Sequence, residues 1–437
     1  MKKILERVIA EVIDHKAEGD LILSTAKSLK LSSQRGAVSE YKISSSQILG
    51  VRVIKDDRVG IAYTEATDDE SLRFMIKKAL QNSEITEPNP DERLLKLSGD
   101  LLDDVSYDEA PVDIALKTRK AIELETRVRE LDPRVVAVPY NSFNENEYHS
   151  LYLSSRGRFT SYSDKSYSIT SSALLDDNGK KANFYDFHLA HRFKDLKWDK
   201  VTQTALLHAK NLLGETTLPT GRYHVRFTPD CLKSLFDCFG NFYSAKCAID
   251  KVNPWADQLG QVVAAPDLTI TDDPNPGGCF RHSRFDDEGV EKKALTLVKD
   301  GVLSSLIHNS VTAKKLGTQT TGHASRGPTT SMNVSGTHYV IQGKNHRPLP
   351  DRYLQVIQMD GLYSGANRVS GTFSVAVKGY LWENGERKLT FGNVTLSGNF
   401  LELLRNVEVA GEKLEASTDE SFFSVPLIFG GLSIAGA

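Results

Sequence analysis

One stretch, residues 135–193, limits the possible folds of this chain more than any other. Apolar and polar residues alternate there with a period of two, and Tyr, Ser and Thr are frequent. Successive side chains of a β-strand point to opposite faces, so the alternation predicts antiparallel strands in a sheet with one solvated polar face. We therefore expect the first half of the chain to be built on such a sheet.

Apolar residues at helical spacing predict helices beside this sheet, which gives an α+β fold class. The predicted helices lie at the N-terminus, after a capping box at residues 67–70, from Pro111 to about Leu131, and from Trp198 to about Leu212. Residues 21–24 and the hairpin 51–63 are predicted strands. The Ser-rich segment 31–47 receives no element, and the acidic, Pro-containing segment 87–104 is predicted to be a loop.

A domain boundary is expected near Leu218, because strands and Gly-centred turns dominate beyond it. The predicted architecture is a mixed α/β domain at residues 1–218, followed by a β-rich, barrel- or sandwich-like domain at residues 219–437. The second domain is expected to form around a helix at residues 229–241. Pro229 suits the first position of that helix, and apolar residues recur at helical spacing after it.

Bulk properties exclude several classes of function. The net charge is −3 and no run of Lys and Arg stands out, which argues against a surface built for nucleic-acid phosphates. The N-terminus lacks the features of a signal peptide, and the apolar C-terminus is interrupted by Pro426, which favours two buried strands over a membrane span. The 4 cysteines form no CxxC pair, as is typical of reduced thiols. We expect a cytoplasmic protein that binds neither nucleic acid nor membranes.

Short motifs in the second half resemble the TldD/PmbA family, whose members were once described as modulators of DNA gyrase. The matching segments occur in the family order, at residues 257–261, 272–274, 285–290, 299–303, 321–326, 371–374, 382–385, 394–399 and 432–436. The first half resembles the family less closely, chiefly at residues 50–65. Any single segment is weak, but the series covers most of residues 222–437.

The resemblance implies a degenerate zinc site. In the TldD branch this helix carries His-Glu-x-x-x-His, in which two imidazoles bind zinc and the Glu polarises a bound water. Those positions here are Phe236, Asp237 and Asn241. The third ligand of the family, a Cys near the C-terminus, is missing, since no cysteine follows Cys279. The chain is therefore similar to the PmbA/TldE branch, and we expect no catalytic residues, no metal and no cofactor.

An acidic cluster is the other candidate site. Asp272, Asp273, Asp286, Asp287 and Glu288 could hold Mg²⁺ or Ca²⁺ through oxygen atoms, or could bind backbone amides and fix a loop. We favour the structural interpretation, because such clusters more often fix loops. The full candidate structural or binding loop comprises Asp286, Asp287, Glu288, Gly289, His323 and Arg326.

The resemblance implies the non-catalytic subunit of a TldD/TldE-type metalloprotease, inactive alone, that completes the substrate channel of a metal-bearing TldD-like partner. The implied substrate is an unfolded or extended peptide. Without its partner the chain is expected to form a homodimer, with the second half contributing heavily. Two alternatives stay open: a stand-alone regulator that binds DNA gyrase or another protein, and a hydrolase that uses a metal at the acidic cluster.

Overall fold

The structure is a computed structural model that describes residues 1–104 and 110–436. Its first half contains an eight-stranded sheet. The strands are β1 (Glu18–Gln34), β2 (Ala37–Lys55), β3 (Arg58–Thr64), β4 (Gly99–Asp104), β5 (Val135–Ala137), β6 (Ser142–Ser154), β7 (Arg158–Asp177) and β8 (Lys180–Ala190). The helices of this half are α1 (Lys2–Asp14), α2 (Asp69–Ile85), α3 (Ile114–Leu131) and α4 (Trp198–Leu212). The strand order is β3-β2-β1-β6-β7-β4, with β5 and β8 also paired to β7.

The two faces of this sheet have different environments. Leu21 and Leu23 of β1 are buried on the face that packs against α1 and α2, and Phe143 and Ile169 lie in the core under α3 and α4. The opposite face carries polar and aromatic side chains such as Tyr152, and it packs against loops from the second half of the chain. The predicted alternation is confirmed, and loops from the second half cover part of the polar face.

Two segments differ from the sequence-based expectation. The Ser-rich segment 31–47 belongs to the long hairpin of β1 and β2, whose residues pair from Glu18↔Ile54 to Gln34↔Ala37. Both faces of β2 are exposed in this region, so no apolar alternation marked it as a strand. The expected loop at 87–104 is wrong at its end, because Gly99–Asp104 forms β4, parallel to β7.

The second half is richer in strands. It begins with β9 (Gly221–Phe227) and α5 (Pro229–Cys238), which are followed by a 3-10 turn at Gly240–Tyr243. The further helices are α6 (Ala245–Ile249), α7 (Ser310–Lys315), α8 (Leu362–Gly365) and α9 (Phe400–Arg405). The further strands are β10 (Leu268–Asp272), β11 (Leu295–Lys299), β12 (Val302–Leu303), β13 (Ala324–Ser325), β14 (Asn333–Val334), β15 (Tyr339–Gly343), β16 (Arg352–Asp360), β17 (Thr372–Glu383), β18 (Glu386–Asn399), β19 (Val407–Val409), β20 (Glu415–Ala416), β21 (Phe422–Ser424) and β22 (Leu427–Ala435).

Five of these strands close into a barrel. Neighbours pair in the order β18-β17-β16-β9-β22, and an additional pairing of β18 with β22 completes the ring. A six-stranded sheet, β12-β11-β10-β15-β21-β20, lies beside the barrel. The α+β class is confirmed, and the second half is barrel-like. The apolar C-terminus forms β21 and β22, the two buried strands that were predicted.

Helix α5 lies between the barrel and the neighbouring sheet. It contacts β9 and β16 of the barrel and β20 and β21 of the sheet. The helix is shorter than predicted, because its regular turns end at Cys238 and a 3-10 turn follows. Thr228 occupies the N-cap position, although its side chain makes no capping hydrogen bond. Within the described residues, no helix is both long and apolar enough to cross a membrane.

Candidate functional site

Phe236 lies in the centre of a buried aromatic cluster. Its side chain is 0% exposed. The ring centroid of Phe236 lies 5.2 Å from that of Phe400, 5.3 Å from Phe422 and 5.7 Å from Tyr339. Aromatic pairs at such separations stabilise a core beyond simple area burial. Hydrocarbon therefore fills the space that a metal-binding imidazole would need at this position.

The other two motif positions are occupied by polar groups with protein partners. The carboxylate of Asp237 binds the ammonium of Lys233 one helical turn earlier, at 2.8 Å. Nδ2 of Asn241 donates to the carbonyl oxygens of Val252 and Arg368, at 3.0 and 2.9 Å. Both side chains serve local structure.

These residues do not fit a zinc ion, which takes nitrogen, sulfur or carboxylate ligands in a tetrahedral arrangement. The buried amide oxygen of Asn241 lacks a hydrogen-bond partner among the described residues, but one amide oxygen is not a ligand set. In residues 1–104 and 110–436, no three His, Cys, Asp or Glu side chains come together as a metal site would require.

Most residues of the candidate loop lie close together in the structure. The Asp286 carboxylate accepts backbone N–H bonds from Glu288 at 3.0 Å, Val290 at 2.9 Å and Ala324 at 3.0 Å. Asp287 accepts the N–H of Arg326 at 2.8 Å. Two carboxylates thus hold residues 286–290 against residues 324–326.

Glu288 and Gly289 attach this loop to other elements. Glu288 accepts the backbone N–H of Ser310 at 2.9 Å and a short bond from its hydroxyl group, at the start of α7. Gly289 has φ = +73°, and a Cβ there would lie 2.6 Å from Cγ of Arg158, which begins β7. Both the backbone conformation and the contact with the first half therefore require glycine.

Burial and hydrogen bonding act in opposite directions on the acidic loop. Burial, helped by the charge of nearby Glu288, raises the pKa of Asp286 to about 7, although three backbone N–H groups oppose the shift. Burial also raises the pKa of Asp287 and the pKa of Glu288; Arg52 opposes the shift at Glu288. The loop therefore holds carboxyl groups whose charge is poorly solvated.

Arg326 extends into a buried ion network on the first-half sheet. Its Nη2 donates to Oδ1 of Asp20 at 2.7 Å, and Nη2 of Arg52 donates to Oδ2 of Asp20 at 2.5 Å. Although burial raises the pKa of Asp20, these guanidinium groups hold it below the usual value. The network connects β1 and β2 to the loop that follows β13.

His323 and Asp272 form a second buried pair. Nε2 of His323 lies 3.1 Å from Oδ1 of Asp272, and Nδ1 lies 2.9 Å from the hydroxyl of Thr321. Asp272 also accepts the backbone N–H of Thr337 at 2.7 Å. Tyr339 connects this pair to the aromatic cluster, because it is the register partner of Asp272 and packs on Phe236.

A cavity of about 360 Å³ separates the polar face of the first-half sheet from these loops. The sheet contributes tyrosine, serine and threonine side chains, and the loops contribute charged and imidazole groups. The lining includes Tyr148, Ser150, Tyr152, Thr160, Tyr162, His282, Asp287, Lys292 and His338. Such a mixture of aromatic rings and hydrogen-bonding groups suits a polar, extended ligand.

Sequence analysis missed Asp20, Arg52 and Tyr152. A usable signal existed at Arg52, which lies between Val51 and Val53 in a predicted strand. Since both valines face the helices, the arginine must face the opposite side, where only a buried counter-ion makes its position tolerable.

The comparisons with known proteins agree with this architecture. Models of PmbA/TldA metallopeptidase domain 1, central domain and C-terminal domain match residues 19–83, 107–213 and 220–436. Metalloprotease PmbA of Escherichia coli O157:H7 is 24% identical over 98% of this chain and 95% of its own length.

Two solved structures share the fold. TldE from Thermococcus kodakarensis superposes with a TM-score of 0.83 at 20% identity, covering 99% of this chain and 100% of that one. A proposed modulator of a DNA gyrase from Thermotoga maritima superposes with a TM-score of 0.86 at 23% identity, with the same coverage. By its matched domains and its fold, the chain belongs to the PmbA/TldD metallopeptidase family.

Proposed function

We propose that this protein is the non-catalytic, PmbA/TldE-like subunit of a TldD/TldE-type metalloprotease that processes unfolded peptides in the cytoplasm. The observation that carries this proposal is Phe236, whose ring occupies the first ligand position and packs against four other aromatic residues. A TldD-like subunit would supply the metal and the attacking water. This chain would contribute a wall of the substrate channel.

The cavity between the sheet and the loops supports a role in holding peptide. The rings of Tyr148 and Tyr162 lie 6.2 Å apart along its sheet wall, and Lys292 and His338 line the opposite side. An extended peptide offers backbone donors and acceptors regardless of sequence, so hydrogen-bonding walls give affinity without strict specificity. We also propose that residues 1–218 and 219–437 form two domains, of which the first contributes the sheet wall of the cavity and the second contributes the loops.

The remaining alternatives have weaker support. The hydrolase alternative needs Asp286, Asp287 and Glu288 to bind a cation, whereas their oxygen atoms accept backbone N–H and hydroxyl groups. The gyrase-binding alternative rests on the description of a relative alone. The loop is better explained as a structural element that positions residues 323–326.

Zinc content and peptide cleavage test the proposal. The purified chain should hold no stoichiometric zinc and should leave an unfolded peptide intact, because its ligand positions carry no metal-binding set. Adding the metal-bearing TldD-like subunit should produce cleavage that a chelator abolishes. Chelator-sensitive cleavage by this chain alone, with about one zinc per chain, would refute the assignment.

Two variants of this chain, each mixed with the TldD-like subunit, test whether the chain contributes to catalysis or to peptide binding. Asp237→Ala removes the carboxylate at the position of the family's catalytic Glu, and cleavage by the mixed subunits should not change. Tyr148→Ala should raise KM several-fold, whereas Tyr63→Ala, which removes another exposed tyrosine, on β3 outside the cavity, should not. A loss of turnover on Asp237→Ala would show that this subunit takes part in the chemistry.

A further inference from the structure

A larger cavity, of about 570 Å³, lies beside strands β7 and β8 of the first-half sheet. Its opposite wall comes from the second half, namely from α5, from β16 and from Thr418. A neighbouring cavity of about 440 Å³ lies between the β1–β2 hairpin and the start of β6, and Tyr140 and Thr170 line both cavities. We call the two cavities together the trough. It shares no lining residue with the cavity at Tyr148.

The charged residues that line the larger cavity are all acidic. They are Asp186 of β8, Asp230 of α5 and Asp360 of β16, and no Lys, Arg or His lines this cavity. Among the described residues, none of these three carboxylates forms an ion pair with a cationic side chain. In the smaller cavity, Lys30 and Glu40 pair with each other at 2.7 Å. The trough therefore carries an uncompensated negative charge.

The protein around the trough solvates this charge poorly. Burial raises the pKa of Asp186, and the charge of Asp230 adds to the shift, although Lys200 and Thr204 oppose it. Burial also raises the pKa of Asp230, against two hydrogen bonds from Thr418 of 2.9 and 3.0 Å. A bound cation would replace part of the solvation that these carboxylates have lost.

Aromatic rings line the trough beside the carboxylates. The ring centroids of Tyr140 and Tyr185 lie 6.0 Å apart, with the planes at 70°. Burial raises the pKa of Tyr185, and the charges of Asp230 and Asp360 raise it further, so both carboxylates lie near this ring. Among the described residues, no Lys or Arg lies over either tyrosine. Aromatic faces beside carboxylates attract ammonium groups.

Two amide oxygen atoms of residues in the trough wall lack hydrogen-bond partners among the described residues. They are Oδ1 of Asn141 and Oδ1 of Asn183, and both atoms are buried. Asn141 is only 8% exposed. Its Nδ2 donates to the carbonyl oxygen of Ser33 at 3.2 Å, and because a carbonyl group can only accept, this contact fixes the orientation of the amide. A ligand that donates N–H groups would satisfy such buried acceptors.

This arrangement suits an organic cation better than a metal ion. Mg²⁺ and Ca²⁺ need several oxygen ligands around one point, and in the described residues no three acidic, imidazole or thiol groups come together in that way. The three carboxylates lie on different elements, and apolar side chains such as Ile357 and Met359 line the space with them. An alkyl chain with several ammonium groups matches both features.

We propose that the trough binds an aliphatic polyamine, whose ammonium groups lie at Asp186, Asp230 and Asp360 and whose methylene chain packs on Tyr140 and Tyr185. This site goes beyond the proposed role in proteolysis and does not depend on it, because it uses no residue of the aromatic cluster or of the cavity at Tyr148. Since its walls come from both halves, the bound polyamine stabilises their contact and raises the melting temperature.

Calorimetric titration with spermidine at low ionic strength tests the site. We expect one spermidine per chain, no binding of octanediol, an uncharged chain of similar length, and no displacement of spermidine by Mg²⁺ at matched ionic strength. The double variant Asp230→Asn with Asp360→Asn keeps the side-chain shapes and should weaken binding about tenfold or more. Asp100→Asn with Asp250→Asn is the matched control, since it removes the same charge from exposed carboxylates outside the trough.

A ring variant provides a second measurement that leaves the carboxylates in place. Tyr185→Leu should weaken spermidine binding about two- to fivefold, whereas Tyr63→Leu, which removes a similarly exposed tyrosine on β3, should not. Spermidine should raise the melting temperature of the parent and of the control variants, but not that of Asp230→Asn with Asp360→Asn. A parent that binds no spermidine at millimolar concentration would overturn the proposal. Equal weakening in the two double variants, or displacement by Mg²⁺, would overturn it as well, because the attraction would then be general and not local.

Discussion

At Asp286, the cost of burying a carboxyl group exceeds the gain from its three backbone hydrogen bonds, and its pKa rises to about 7. An unfolded chain would titrate this group near 3.8. Between these values the folded protein binds more protons than the unfolded one, so the free energy of unfolding falls as pH rises from about 4 to 7. Above pH 7 the contribution of this group is constant.

Asp286→Asn should therefore flatten the pH dependence of stability. Each pKa unit corresponds to about 1.4 kcal/mol. The decrease in the free energy of unfolding that the variant removes between pH 5 and pH 7 is therefore roughly 2 kcal/mol. Urea unfolding at several pH values measures it. Asp300→Asn is the control: its carboxylate is exposed beside Lys344, whose hydrogen bond lowers the pKa, so it should not change the slope in this window. An unchanged slope in Asp286→Asn would mean that the group is ionised throughout.

Single residues differ in how far the sequence predicts their role. At Phe236 and Asn241 the sequence alone decides what the side chains can supply, because a phenyl ring and an amide cannot act as imidazole ligands whatever surrounds them. Asp20 could not, because its partner Arg326 lies 306 positions away in sequence. Local spacing contains no information on such a contact.

Strand β2 serves two purposes along its length. Among the described residues, its first part pairs only with β1, and its second part supports the loop that carries Arg326. At Gly50 the loop comes so close that a Cβ would lie 1.8 Å from the carbonyl oxygen of Pro328. The absence of a side chain at this position lets the loop lie directly on the strand.

Gly50→Ala should therefore move this loop and destabilise the fold. Overpacking of this kind typically costs about 1–3 kcal/mol, which urea unfolding would detect as a lower midpoint. Gly214→Ala is the matched control, since a Cβ at that position would meet no atom within 4 Å and its φ is not in the left-handed region. Equal stabilities for the two variants would show that the loop can withdraw from β2 at no cost.

Elements with one buried face were predicted well, and those without one were not. The helices α2 and α4 follow apolar periodicity, because each buries one face. The C-terminal strands were predicted from their apolar character, and most of their residues are buried. The first part of β2 has no buried face, and β4 spans only residues 99–104, so periodicity could not identify either. Barrel closure depends on the pairing of β18 with β22, which a linear pattern does not contain.

At the scale of the whole molecule, the two halves are joined by buried charges. Asp20 and Arg52 belong to the first-half sheet, and Arg326 belongs to the second half. All three side chains are almost completely buried. A buried pair is costly to form, but removing one partner is costlier still, because the remaining charge is left without compensation.

Arg326→Met should therefore lower the free energy of unfolding by about 3–5 kcal/mol. The loss should not depend on salt, because buried charges are poorly screened. The control is Arg347→Met, which breaks an exposed ion pair with Glu408 of 2.9 Å and should cost less than about 1 kcal/mol.

Calorimetry would show whether this network also makes the halves unfold together. While Asp20 and Arg326 remain paired, separating the halves would break the pair and expose the cavity walls at the same time. Neither half should therefore separate alone, and the parent should unfold in one transition. Without Arg326, Asp20 keeps its contact with Arg52 inside the first half. The fully buried ion pair between the halves is then lost, and more exposed ones such as Arg281–Asp164 and Lys314–Asp91 remain. Arg326→Met should then unfold in two resolved steps, of which the lower one exposes the polar face of the sheet. A single transition in this variant, at the temperature of Arg347→Met, would show that the remaining contacts between the halves, including the packing at Gly50 and Gly289, are enough to hold them together.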